Sequence, residues 1–169
     1  MTNQLFQKVR DGGTGPSSRI RVVEGTLKPS SEYQMHALVY RNRFEAQAMI
    51  HTHALYATTI SCLKEKLPAI DYLLAYSGGP NVKCAKYATY GTHELAENAL
   101  EAMKGRKAVL LANHGINVFG GNLCEAFDIS EQPEFCARLY WQTKSVGNPV
   151  ILPEEAMNRM VERFEGYGQ

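Results

Sequence analysis

Lys107-Ala108-Val109-Leu110-Leu111-Ala112-Asn113-His114-Gly115-Ile116-Asn117-Val118-Phe119 is the stretch that decides the fold class of this chain. Its opening apolar run reads as a strand buried on both faces, and Asn113-His114-Gly115 makes a sharp break before a second strand over 116–119. Upstream, Thr92 caps a helix over 93–103 whose apolar face carries Leu95, Ala96, Ala99, Leu100 and Met103. Before it come a short strand over 82–85, an irregular stretch through Gly78-Gly79-Pro80, a helix over 54–63 and a strand over 48–52. Ser30 or Ser31 is placed to cap a helix running from Glu32 to Val39, with Tyr33, His36, Ala37 and Tyr40 to one side. Downstream, helical spacing runs from Leu123 to Thr143 and again from Glu154 to Phe164. Helices mixed with short strands, without internal repeat or linker, indicate one α/β or α+β layered domain built on one sheet. Residues 1–28 are weakly patterned; they hold the loop-like Asp11–Ser18 run, and within them only 19–23 reads as a strand.

The chemistry concentrates where these strands end. In Ala48-Met49-Ile50-His51-Thr52-His53-Ala54, residues two apart leave the same face of a strand, so His51 and His53 project side by side. His114 stands at the end of the buried apolar strand, a position from which a side chain can enter a cleft. Three imidazoles and one carboxylate make a tetrahedral shell for Zn²⁺ or a similar divalent ion. An isolated His-x-His pair is more often a hydrogen-bonded structural pair, and it is the third histidine that turns the reading toward a metal. His36, on a helix, and His93, at a helix start, have ordinary structural explanations. Glu32 follows Pro29-Ser30-Ser31 at a helix start, where a carboxylate pairs with the helix dipole. The same helix end, with free N–H groups and two hydroxyls, also suits a phosphate.

Composition excludes several other classes. Lys and Arg total 18 against 17 Asp and Glu, and the densest basic cluster is the short Lys104-Gly105-Arg106-Lys107, so nucleic acid is not an expected partner. The apolar run 108–112 is far below the ~20 residues of a membrane helix. The first thirty residues lack the pattern of a secretory signal, and a cytoplasmic location is expected. Cys62, Cys84, Cys124 and Cys136 are widely spaced, without a Cys-x-x-Cys pair, and are expected to be buried free thiols.

Pro29-Ser30-Ser31-Glu32, His51-Thr52-His53, the run from Cys84 to Thr92 and Asn113-His114-Gly115 occur in an order and spacing that resembles the class II aldolase/adducin family. The likeness runs from about residue 24 to the Glu165-Gly166-Tyr167-Gly168 end and is greatest to members that cleave L-fuculose 1-phosphate. It implies an α/β fold with a central, mainly antiparallel sheet flanked by helices, and a homotetramer with sites at subunit interfaces. It implies one Zn²⁺ per chain held by His51, His53, His114 and, in the resting state, Glu32. Reversible cleavage to dihydroxyacetone phosphate and L-lactaldehyde leaves negative charge on an enediolate, which a divalent ion stabilises as a Lewis acid. By the same resemblance Ser30 and Ser31 bind the substrate phosphate, and Glu32 moves a proton at the nucleophilic carbon. Tyr72 reaches in from a neighbouring subunit as acid or base at the other oxygen, while Tyr90 and Tyr167 line the aldehyde end.

The sequence departs from the family pattern in two places. Residues 1–23 do not visibly reproduce the first strands and glycine-containing loops that complete the phosphate site, which leaves residues 24–169 as the aldolase-like domain and the chain N-terminally shortened. Pro133 stands inside the long helix, where a proline costs ~3 kcal/mol or kinks it. Two other functions remain open at this stage. One is an L-ribulose-5-phosphate 4-epimerase, disfavoured by Glu32 and Tyr56, where those enzymes usually carry aspartate and, nearby, histidine. The other is a shortened, non-catalytic metal-binding or interaction module.

Overall fold

The computed structural model describes residues 9–10, 21–22 and 29–166. In chain order its elements are β1 (Val9–Arg10), β2 (Arg21–Val22), α1 (Tyr33–Asn42), β3 (Ala48–Thr52), α2 (Leu55–Ser61), a 3-10 turn (Tyr72–Ser77), β4 (Lys83–Ala85), α3 (His93–Ala102), β5 (Ala108–Leu111), β6 (Gly115–Gly120), α4 (Leu123–Val146) and α5 (Glu154–Glu165). The stretch 107–119 forms an antiparallel hairpin, and it is the centre of the sheet. Strand order is β3-β6-β5-β4; β3 and β5 both run antiparallel to β6, and only β4 runs parallel to β5. This is a four-stranded mixed α/β sheet, antiparallel in its majority, with helices on both sides. β1 and β2 pair in a separate two-stranded sheet.

Every residue of β5 and β6 is buried because both faces are covered. Ala108, Leu110, Ile116 and Val118 pack on one side with α2, the 3-10 turn, α4 and α5. Val109, Leu111 and Phe119, with Met49 of β3, pack on the other side against Met35 and Val39 of α1 and Leu95, Ala96 and Ala99 of α3. The period-two alternation of strands therefore assigns His51 and His53 to the side of Met49, which is the α1/α3 side. α3 forms as read: the Thr92 hydroxyl accepts from Leu95 N–H at 3.3 Å, and Leu95, Ala96, Ala99 and Met103 are buried.

Three expectations need correction. The N-cap of α1 is Glu32, with no side-chain capping bond, and neither serine takes that place. The buried stripe of α1 is Met35, His36 and Val39, so Tyr33, Ala37 and Tyr40 flank it. Pro133 lies inside α4, which runs on to Val146 as its helical spacing indicates; packing of Ile129, Cys136 and Ala137 in the core on either side of the proline holds the helix together across the missing N–H. All four cysteines are free, as expected, but only Cys136 is buried, while Cys62 and Cys124 are exposed at the ends of α2 and α4. Among the described residues no helix is long and apolar enough to cross a membrane.

Candidate metal centre

Two neighbouring backbones aim three histidines at one point. β3 pairs with β6 in the register His51↔Asn117 and Thr52↔Ile116, so the β3 end lies beside the start of β6. The turn before β6 is held by His114 N–H on the Leu111 carbonyl at 3.0 Å and by Asn113 N–H on the Ser61 carbonyl at 3.2 Å. Asn113 takes a left-handed φ of 54°, a conformation asparagine tolerates better than most residues. Gly115 is required by contact: a Cβ there would sit 2.5 Å from the Thr52 carbonyl oxygen and 3.0 Å from Cδ2 of His53. As a result the ring centroids of His51, His53 and His114 lie 5.1, 4.8 and 5.1 Å apart for the pairs 51–53, 51–114 and 53–114. One nitrogen from each ring falls within 4.8 Å of the others. Nitrogens on a tetrahedral Zn²⁺ stand ~3.3 Å apart at bond lengths near 2.05 Å. The rings thus need to draw in by about an ångström, within the reach of small χ changes.

The electrostatics suit ligation. Burial pushes the His51 pKa down to about 4, helped by the neighbouring His114 and His53 charges, while Asn117 and the Ile116 carbonyl pull the other way. Burial, then His53, also lowers that of His114. Both are neutral near pH 7, the form in which imidazole binds a metal. His51 Nδ1 lies 2.9 Å from Asn117 Oδ1 and 3.2 Å from the Ile116 carbonyl oxygen. Asn117 escaped the sequence reading, and the one signal for it was a lone amide in an otherwise apolar strand.

Glu32 is 5% exposed, at the start of α1. Burial raises its pKa; a hydrogen bond from Gly91 N–H and the proximity of His53 act against that rise. Oε2 is buried without a hydrogen-bond partner. Glu32 is not part of the close three-nitrogen group, but it lies near enough for His53 to act on its carboxylate. A buried carboxylate with an unused oxygen beside neutral imidazoles is a donor set that fits a divalent cation. His51, His53 and His114 could hold the ion with Glu32 as a further oxygen ligand.

The loop carrying Tyr90 packs on the Ser30–Glu32 segment. Gln34 Nε2 donates to the Gly91 carbonyl at 3.2 Å, and at Gly91, whose φ is 73°, a Cβ would lie 3.0 Å from the Ser31 carbonyl oxygen. Ser30 Oγ accepts from Glu32 N–H at 3.2 Å and keeps its own proton to donate, while Ser31 is exposed. Tyr90, 67% exposed, borders this corner. Tyr72 does not join it: it stacks on Phe164 and lines a cavity of about 320 Å³ with Leu152, Met157, Arg159 and Arg163. Tyr167, like most of residues 1–28, lies outside the described residues. His36 is buried on α1 and His93 pairs with Glu97, so both are structural, as read. Glu134, which the sequence did not single out, accepts from Tyr56 N–H at 3.0 Å and Ala57 N–H at 2.8 Å. It caps α2 from α4, where Ala54 offers no side-chain cap, and so braces the helix that begins two residues after His53.

The sequence pattern of the family described as Class II Aldolase and Adducin N-terminal domain matches residues 8–141. The chain is 52% identical over 148 residues to a 5-deoxy-D-ribulose 1-phosphate aldolase of Bacillus thuringiensis serovar kurstaki, covering 88% of this chain and 69% of that protein. It is 41% identical over 146 residues to an L-fuculose phosphate aldolase of Escherichia coli K12, covering 86% and 67%. A solved structure of an L-fuculose 1-phosphate aldolase superposes with a TM-score of 0.83 at 52% identity, covering 85% of this chain and 68% of that one. The chain spans about two thirds of the length of these relatives.

Proposed function

The chain belongs to the class II aldolase and adducin family, and from that membership we propose that it is a metal-dependent aldehyde-lyase cleaving a ketose 1-phosphate. The observation that carries the proposal is the convergence of three imidazoles beside the buried Glu32 carboxylate. A divalent ion held there, Zn²⁺ at one per chain in our reading, supplies Lewis acidity for the negative charge that develops on the ketose oxygens. Glu32 moves the proton at C3: as the C3–C4 bond breaks and its electron pair stays on C3, Glu32 delivers a proton to that carbon. Burial raises the Glu32 pKa above the usual carboxylate value, which favours a group that must hold a proton before releasing it. Tyr72 takes the proton that the C4 hydroxyl loses as it becomes the aldehyde. Ser30 and Ser31 hold the phosphate, with Tyr90 and Tyr167 at the aldehyde end.

Because Tyr72 sits away from its own chain's imidazoles, its role requires a neighbouring subunit, and the homotetramer implied by the family resemblance is part of the proposal. The substrate names attached to the relatives share one chemistry. Fuculose 1-phosphate and 5-deoxyribulose 1-phosphate are both 1-phosphorylated ketoses that end in a methyl group. Each splits to dihydroxyacetone phosphate and a short methyl-ended aldehyde, lactaldehyde or acetaldehyde. We take that class as the substrate; fuculose 1-phosphate would place the enzyme in cytoplasmic fucose breakdown. The test is a coupled assay for dihydroxyacetone phosphate with each substrate, alongside metal analysis. Turnover of at least one, with zinc near one per chain, is expected. Stoichiometric metal with no turnover of either would instead favour a non-catalytic metal-binding module.

A further inference from the structure

Asn117 is fully buried in the middle of β6, a strand whose other residues are glycine or apolar. Its neighbours across the sheet are Val109 and His51. An asparagine in that position is costly, because Nδ2 is buried with no hydrogen-bond partner. Its one bond is to His51 Nδ1, at 2.9 Å.

The direction of that bond can be worked out from the second contact. The Ile116 carbonyl lies 3.2 Å from the same Nδ1, and a carbonyl oxygen can only accept. Nδ1 therefore carries the proton and donates to both oxygens, which in turn fixes the amide with Oδ1 toward the ring and Nδ2 away from it. A neutral imidazole protonated on Nδ1 has its lone pair on Nε2. The other tautomer would put a proton where a metal ion binds.

We propose that Asn117 is a positioning residue that locks His51 in the Nδ1-protonated tautomer, with the Nε2 lone pair held ready for the metal. The proposal rests on the reading of the three histidines as a metal centre. The peptide carbonyl alone gives a longer bond and leaves the ring free to rotate about χ2. The two acceptors together hold both its tautomer and its plane, and outer contacts of this kind typically change metal affinity by 10–100-fold when removed.

The experiment compares wild type, Asn117→Leu and Asn117→Asp. Zn²⁺ affinity is read by competition with a chromophoric chelator, the metal-free fold by its melting temperature, and the His51 tautomer by nitrogen–proton correlation spectra of the imidazoles in the metal-free protein. Expected for Asn117→Leu is a 10–100-fold weaker Zn²⁺ affinity with the metal-free melt unchanged or higher, since the stranded Nδ2 is gone. Asn117→Asp keeps an acceptor at the same place and should restore affinity to within a few-fold of wild type. Wild-type affinity in a folded Asn117→Leu would overturn the proposal, as would an Nε2-protonated His51 in the wild-type spectrum. If Asn117→Leu does not fold, the aspartate variant and the wild-type spectrum still decide. The spectrum needs neither metal nor turnover, so failure of the aldolase reading stays distinguishable from failure of this one.

Discussion

Gly115→Ala is the most exacting test of how the backbone builds the metal centre. The added methyl would lie 2.5 Å from the Thr52 carbonyl oxygen and 3.0 Å from His53 Cδ2, against the 3.4–4 Å of ordinary contact. The first of those partners is backbone, fixed in the β3–β6 ladder, so it cannot swing aside as a side-chain tip would. Relief requires the end of β3 and the 112–114 turn to part by about an ångström, and overpacking of this kind costs ~1–3 kcal/mol. Metal–ligand distances tolerate about 0.2 Å. The displacement exceeds that several-fold and falls between His53 on one backbone and His114 on the other. The expected result is a modest fall in metal-free stability with a disproportionate loss of zinc, from near one per chain to a small fraction after dialysis. Elemental analysis paired with thermal melts reads both. An alanine variant that keeps full zinc content would refute the contact geometry, because one of the two strands would then have room that the structure denies it.

The remaining predictions address single groups. His53→Ala should abolish zinc retention while leaving the fold, because His53 is exposed and its removal opens no cavity; unchanged metal content would remove it from the shell. Glu32→Gln should keep fold and phosphate binding but lose most turnover, and wild-type rates would end its proton-transfer role. Glu134→Ala should destabilise the protein by about 2 kcal/mol through the loss of two charge-assisted caps on α2, measured by denaturant unfolding. A shift in unfolding midpoint no larger than that of an exposed glutamate would contradict this. The metal-free protein should lose stability as pH falls from about 6.5 toward 3. His36 has its pKa pushed by burial down to about 3, so between these values the unfolded chain binds a proton that the native state refuses. The upper bound from this group is about 5 kcal/mol, and His36→Leu should make the profile shallower, leaving the smaller slope that His51, held down to about 4 by burial, contributes; an equally steep profile in that variant would assign the effect elsewhere.

What could be read from the sequence, and what could not, divides along a physical line. The 107–119 hairpin was legible because burial on both faces leaves a continuous apolar run that only a sandwiched strand explains. The His51/His53 pair was legible because strand periodicity alone fixes that they share a face. By contrast, the α1 stripe was misplaced since Tyr33, Ala37 and Tyr40 are as apolar as Met35 and Val39, and the sheet's α1/α3 side selects the latter pair. The cost of Pro133 was legible because helix propensity is local, whereas the core contacts of Ile129, Cys136 and Ala137 that offset it are not.

The contacts that complete the site were invisible for the same reason. Asn117 meets His51 across 66 residues of sequence, and Glu134 meets Tyr56 across 78. Each is a polar residue whose partner is set only when β6 pairs with β3 or α4 packs on α2. The histidines announce the chemistry in sequence because three ligands need particular atoms. Their supports are chosen by whichever neighbour the fold supplies, and here those neighbours come from β6 and α4. The start of α2 should therefore loosen before the sheet does, since its support from Glu134 can be removed without touching the β5–β6 hairpin. Hydrogen exchange checks this order: in Glu134→Ala, protection should fall at the start of α2 while the amides of β5 and β6 stay as slow as in wild type. Uniform loss of protection across both regions would mean that the site and the sheet open as one unit.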